Sequence, residues 1–226
     1  MSNNSQISYK SCKNKYFINY VLGVFNALFA ISISVIIALN LTFIYKLTIY
    51  KYNLSNISGL TVEELMVNYK KIIFYLQNPF IEKLYFPNFP MSAQGEIHFQ
   101  DVKKIFMYID IYVFLVMILI GVYFLIRDKK TYANYIELKD ILNSSANYII
   151  GFFTFLILCI LINFSQVFIT FHKIFFRNDY WVFDSNLDPI IDVLPEEFFM
   201  IMSVIILILI LVHALISKIY YYKNCK

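Results

Sequence analysis

Four apolar stretches, about 17–43, 105–126, 148–170 and 198–216, decide what this chain can become. Each approaches or exceeds the roughly 20 residues that a helix needs to cross a bilayer. Lipid offers no partner for a backbone N–H or C=O, so each stretch must be helical. Composition agrees: 60% of the 226 residues are hydrophobic and 15% are charged. A soluble domain of this length lacks the polar groups to cover that much apolar surface. The first stretch is longer than the apolar region of a secretory signal and has no small-residue exit, so it reads as a retained anchor. The predicted fold is all-α. Four transmembrane helices form a single membrane domain over 1–226, with a cap that contains an amphipathic helix and room for short strands.

Lysines in short flanks set the expected orientation. Lys10, Lys13 and Lys15 precede the first stretch. Arg127, Lys129, Lys130 and Lys139 lie between the second and third, and Lys218, Lys223 and Lys226 follow the fourth. The loop before the fourth stretch holds only Lys173 and Arg177 against Asp179, Asp184, Asp188, Asp192, Glu196 and Glu197. Both termini and the middle loop are therefore expected in the cytoplasm, with 46–104 and 171–196 extracytoplasmic. In the first of these segments Thr61 and Glu64 form a capping box. Val62, Leu65, Met66, Tyr69, Ile72, Ile73 and Leu76 then share one helical face. Pro79, Pro87 and Pro90 prevent a helix from running on to Gly95.

The chemistry-bearing residues are few. Cys12, Cys159 and Cys225 are far apart and match neither a disulfide framework nor a zinc spacing. Asp184 to Asp188 opens like a calcium loop. Pro189 stands where that loop needs glycine and Pro195 where it needs glutamate, so no metal site is expected. No basic run of nucleic-acid type is present, and the net charge is +4. Serine-hydrolase, zinc-protease and nucleotide-binding motifs are absent from the sequence. Three histidines remain. His98 and His172 are expected on the same side of the membrane, each near the end of a span, and imidazole suits proton transfer near neutral pH. Asp101, at i+3 from His98, is placed to orient that ring. Spacing alone leaves a plain interfacial histidine open at both positions. His213, near the expected cytoplasmic end of the fourth span, reads as structural. Asn163 and Gln166 read as interhelical hydrogen-bonding groups on one face. Asp110 is either a functional intramembrane carboxylate or one shallow enough to reach headgroup water or a tyrosine.

Two long stretches carry a resemblance. They are Met91-Ser92-Ala93-Gln94-Gly95-Glu96-Ile97-His98-Phe99-Gln100-Asp101-Val102-Lys103 and the run from Phe171-His172-Lys173 through Arg177-Asn178-Asp179-Tyr180-Trp181 and Asp184-Ser185-Asn186-Leu187-Asp188 to Ile191. Leu194-Pro195-Glu196-Glu197-Phe198-Phe199 extends it. These stretches and the four-span topology resemble the lipoprotein intramolecular transacylase family, Lit, of low-GC Gram-positive bacteria. The resemblance implies a membrane acyltransferase without a cofactor, whose partners are membrane lipid and a lipoprotein substrate. The substrate's N-terminal cysteine carries a thioether-linked diacylglyceryl group and a free α-amine. The sn-2 acyl chain would move to that amine, leaving a lyso-form lipoprotein. It also implies His98 and His172 as the catalytic pair, supported by Glu96, Asp101, Arg177, Asp179 and Asp184. The residues alone leave a second reading, a non-catalytic membrane protein that binds a partner through its outer cap. A small transporter fits poorly, because the spans lack Gly/Pro interruptions and repeated halves.

Overall fold

The structure is a computed structural model that describes residues 2–126 and 137–225. Arg127, Lys129, Lys130 and Lys226, on which part of the expected orientation rests, lie outside the described residues. So do the side chains of Lys10, Cys12, Lys13 and Lys15. The described helices are α1 (Ser2–Asn40), α2 (Thr42–Lys51), α3 (Leu54–Ser58), α4 (Val62–Gln77), α5 (Ala93–Ile126), α6 (Leu138–Ile162), α7 (Phe164–Phe175) and α8 (Glu196–Asn224). A 3-10 turn covers Pro189–Val193. Among the described residues four helical segments are long and apolar enough to cross a membrane: Tyr16–Asn40, Ala93–Tyr123, Leu138–Ile162 and Glu196–Asn224. The strands allowed for in the cap do not form. Among the described residues there are none, and the proline-containing stretch after α4 runs as irregular loop up to α5.

Two boundaries differ from the sequence expectation. The second long helix begins at Ala93, well ahead of the apolar stretch that starts near 105. Glu96, Asp101, Lys103 and Lys104 dilute the hydropathy of its first turns, yet nothing in them breaks a helix. The stretch 148–170 is not one helix. α6 ends at Ile162, and Asn163 turns to an extended backbone and caps α7, its Oδ1 accepting from Gln166 N at 3.0 Å. Asn163 therefore starts a helix instead of bonding between helices.

The chain divides into two compact units. The first comprises Met1–Ser34, Tyr112–Leu158 and Ile206–Lys226. Its helices approach closely through small buried residues, among them Ala27, Ala30, Ser145, Ala146, Ala214 and Ser217. Polar groups within it find each other: Tyr112 Oη donates to Phe25 O at 2.7 Å, and Lys218 Nζ donates to Asn143 Oδ1 at 2.7 Å and Asn147 Oδ1 at 2.6 Å.

The second unit comprises Val35–Ile111 and Cys159–Ile205. The capping box is present: Glu64 N donates to Thr61 Oγ1 at 3.2 Å and Thr61 N donates to Glu64 Oε2 at 2.9 Å. The apolar face of α4 packs on α2, the 3-10 turn and the start of α8. Tyr45 stacks on Tyr69 with centroids 4.2 Å apart, and both meet the edge of Phe198. Each such pair contributes about 0.5–1.5 kcal/mol beyond its area burial. Tyr45 Oη donates to Val193 O at 3.0 Å, so this buried phenol is satisfied. Asn68 Nδ2 donates to Asn88 Oδ1 at 2.8 Å and pins the loop between α4 and α5 against α4.

Candidate active site

Both histidines of interest belong to the second unit. His98 sits in the second turn of α5 and is 7% exposed. His172 sits near the C-terminal end of α7, where Phe176 N donates to its carbonyl at 2.8 Å. The imidazole centroids are 6.1 Å apart with the rings inclined at 30°. At that separation the two rings bound one small space, and a single polar group between them is within reach of both.

Aromatic side chains form the walls. Phe168 lies 4.2 Å and Trp181 4.8 Å from His172, centroid to centroid. Phe176 and Phe183 meet His98 edge-on at 4.9 and 5.4 Å. The segment after α7 therefore folds back over the pair, with Phe176, Trp181 and Phe183 as its lining.

The rings differ in hydrogen bonding. His172 Nδ1 lies 2.7 Å from Phe168 O, four residues earlier on α7. A carbonyl only accepts, so Nδ1 carries the hydrogen, and the Nε2 lone pair of neutral His172 has no partner among the described residues. Burial pushes the His172 pKa down, against a smaller upward pull from the bond to Phe168. His98 Nδ1 is buried and has no hydrogen-bond partner among the described residues.

The expected supporting residues separate. Asp101 gives no hydrogen bond to His98, although the two interact electrostatically. Its carboxylate accepts from Lys104 Nζ at 2.8 Å and Asn178 Nδ2 at 3.1 Å, which ties α5 to the segment after α7. Glu96 accepts from Gln100 at 3.2 Å and lies 3.6 Å from Lys83. Arg177 and Asp179 are exposed. Asp184 is exposed too and shapes a turn, its Oδ1 accepting from Asn186 N at 3.0 Å. His213 belongs to the other unit, where its Nε2 meets Asn26 Oδ1 at 3.1 Å. Asp110 is half-buried and makes no side-chain hydrogen bond among the described residues.

Asp188, read from sequence only as the end of a calcium-like opening, is a structural junction. It is 3% exposed, and it accepts from Ser92 N at 2.7 Å and Ser92 Oγ at 2.6 Å. Ser92 Oγ in turn accepts from Gly95 N at 2.9 Å, so the first turn of α5 and the segment carrying Trp181 and Phe183 are joined at one carboxylate. The bonds are short and charge-assisted, and the carboxylate sits at a helix N-terminus where the dipole favours it. The only sequence signal was an acid in an otherwise apolar run, Leu187-Asp188-Pro189-Ile190-Ile191.

No three His, Cys, Asp or Glu side chains among the described residues converge as metal ligands. A groove in the other unit, lined by Tyr16, Phe17, Tyr20, Val21, Val24 and Tyr148, holds no histidine or carboxylate.

The profile of the family "Lipoprotein intramolecular transacylase Lit" matches residues 20–199, which contain both histidines and all their walls. The chain belongs to the Lit family. It is thus a multi-pass membrane enzyme of the acyltransferase kind. The membrane-integral Lit of Bacillus cereus has the same fold, with a TM-score of 0.80 at 32% identity over 92% of this chain and 94% of that one. Two structures of the same B. cereus protein with one histidine replaced also match. The arginine variant gives a TM-score of 0.75 at 30% identity over 98% and 96% of the two chains. The alanine variant gives 0.76 at 31% over 96% of each. No curated protein matches the chain.

Proposed function

We propose that this Lit family member moves the sn-2 acyl chain of a diacylglyceryl lipoprotein onto the α-amine of its N-terminal cysteine, using His172 as base and His98 as proton donor to the leaving oxygen. The observation that carries the proposal is two imidazoles 6.1 Å apart inside an aromatic wall. The substrate α-amine has a pKa of about 8, so at neutral pH much of it is protonated and not nucleophilic. The neutral fraction of the amine reacts, and as its nitrogen attacks, His172 takes one of its protons through Nε2. The amine nitrogen attacks the ester carbonyl carbon, a carbon–nitrogen bond forms, and negative charge develops on the carbonyl oxygen. The carbon–oxygen bond to glycerol then breaks. The two imidazoles carry the proton from nitrogen to that oxygen, His172 accepting it and His98 delivering it. Donor and acceptor are on one molecule, so proximity replaces an external acyl donor and the reaction is balanced without a cofactor.

The lysine distribution supports a site on the extracytoplasmic side, with both termini in the cytoplasm. The test is mass spectrometry of N-terminal lipopeptides from cells that supply diacylated lipoproteins. General acid–base catalysis contributes about 10²–10⁴-fold per group, so His98→Ala and His172→Ala each abolish visible lyso-form, while His213→Ala leaves it unchanged. Full conversion by both site variants overturns the assignment. Absence of lyso-form with the unmodified protein overturns the reaction itself and favours partner binding.

A further inference from the structure

We infer that Trp181 is a third catalytic residue, whose indole N–H donates a hydrogen bond to the oxyanion of the tetrahedral intermediate. The inference rests on the acyl-transfer reading above. Its first ground is a buried donor without a partner. Trp181 Nε1 is buried and has no hydrogen-bond partner among the described residues. A buried, unsatisfied donor is costly in the resting protein, and each such group in a native fold calls for an explanation. The second ground is place. The indole lies 4.8 Å from the His172 ring, inclined at 32° to it, on the ring that serves as base. His98 Nδ1, a second buried and unpartnered polar atom, belongs to the imidazole facing His172. Two unmet hydrogen-bonding atoms therefore flank one base.

The third ground is elimination among the groups that touch the pair. Phe99, Phe168, Phe176 and Phe183 offer no donor. The Nδ1 hydrogen of His172 is committed to Phe168 O. Asn178 donates to Asp101. Indole N–H is donor only and uncharged, so it does not compete for the proton that the histidines move. In an apolar wall such a donor gains strength as charge develops on the oxygen it faces. It contributes to the transition state more than to the ground-state ester, and its loss lowers kcat rather than raising KM.

The chain contains a single tryptophan, so replacing every tryptophan with an analogue alters position 181 alone. The decisive protein carries benzothienylalanine at 181, in which sulfur replaces N–H and the ring's size and stacking persist. Trp181→Phe is the genetically encoded companion. Full-length protein in lipid is assayed with a synthetic diacylglyceryl lipopeptide bearing a free N-terminal amine. The analogue is expected to lose about 10²–10³-fold in kcat, the usual loss for one oxyanion donor, with KM within about 2-fold. Unchanged kcat, or an effect confined to KM, overturns the inference. His98→Ala and His172→Ala are assayed alongside. If they are inactive and the analogue is fully active, only the tryptophan role fails. If they remain active, the reading on which it rests fails.

Discussion

Gly95 offers a substitution whose cost can be worked from the structure. It lies in the first turn of α5, and a Cβ added there would meet Asp188 Oδ1 at 2.5 Å, Asp188 Cγ at 3.0 Å and Phe183 Cε1 at 3.1 Å. Contacts under 3.0 Å must be relieved by movement. The atom in the way belongs to a side chain held by two hydrogen bonds from Ser92, so Gly95→Ala forces one of them to open. A hydrogen bond to a charged group contributes about 1.5–3 kcal/mol. Against this, alanine is favoured over glycine in a helix by about 0.8–1.0 kcal/mol. Gly121→Ala isolates the contact, since nothing lies within 4 Å of its added Cβ and the propensity gain is common to both. The two variants should differ by about 1.5–3 kcal/mol. At roughly 2–4 °C per kcal/mol for a chain of this size, that separates their apparent melting points by about 3–12 °C. The single tryptophan, at the site itself, reports the transition by fluorescence. Turnover of Gly95→Ala should fall as well, because the displaced Phe183 packs on the His98 ring. Gly95→Ala matching Gly121→Ala in both melting point and turnover would refute the account of the Asp188 junction.

Two further outcomes follow from the site. Burial lowers the His172 pKa, so its ring stays neutral in the fold at pH values where the unfolded chain, with an ordinary value of about 6.5, takes up a proton. Its contribution to stability is complete above about pH 6.5 and is lost as pH falls toward and through the depressed folded value. The melting point of the unmodified protein should therefore drop more below pH 6.5 than that of His172→Gln. Equal slopes for the two proteins would show that His172 is not held neutral by burial. Asn163→Ala removes the α7 cap, at a cost of about 0.5–2 kcal/mol. It should raise amide hydrogen exchange in α7 and reduce turnover, with Asn163→Asp restoring both. Unchanged exchange in the alanine variant would mean that the cap does not hold α7.

What was legible in the sequence was what local chemistry dictates. Four apolar runs give four long helices because backbone groups in lipid have no alternative. Thr61 and Glu64 mark the start of α4 because both halves of a capping box lie within one turn. The two histidines stood out because few other side chains here titrate near neutrality. What was not legible depended on competition or on distance. Asp101 is correctly spaced to reach His98, yet Lys104 and Asn178 take its oxygens. Asn163 looked like membrane glue because its side chain can bond across helices, whereas its own α7 offered unpaired N–H groups nearer by. Asp188 meets Ser92 across 96 residues. No helical or strand period encodes that pairing, nor the return of Trp181 onto His172.

No carboxylate among the described residues hydrogen-bonds to either imidazole, and this fits the chemistry proposed. In a serine-type triad a carboxylate stabilises the imidazolium that forms when a neutral hydroxyl must be deprotonated. Here the nucleophile is an amine, which attacks readily once neutral. The base needs chiefly to stay unprotonated in the resting protein. A carboxylate hydrogen-bonded to His172 would favour the charged ring and reduce the fraction able to act as base. The fold directs its nearby acids elsewhere: Asp101 to Lys104 and Asn178, Asp188 to Ser92, Glu96 to Gln100. His172 instead receives a backbone carbonyl, which fixes the tautomer without adding charge. The aromatic walls complete the arrangement. An acyl group leaving glycerol can pass to the amine or to water; proximity favours the amine, and exclusion of water favours it further. Rings packed at 4.2 to 5.4 Å around the two imidazoles supply that exclusion. On this reasoning the same phenylalanines that leave the histidines without polar partners help to make the enzyme a transferase instead of a lipase.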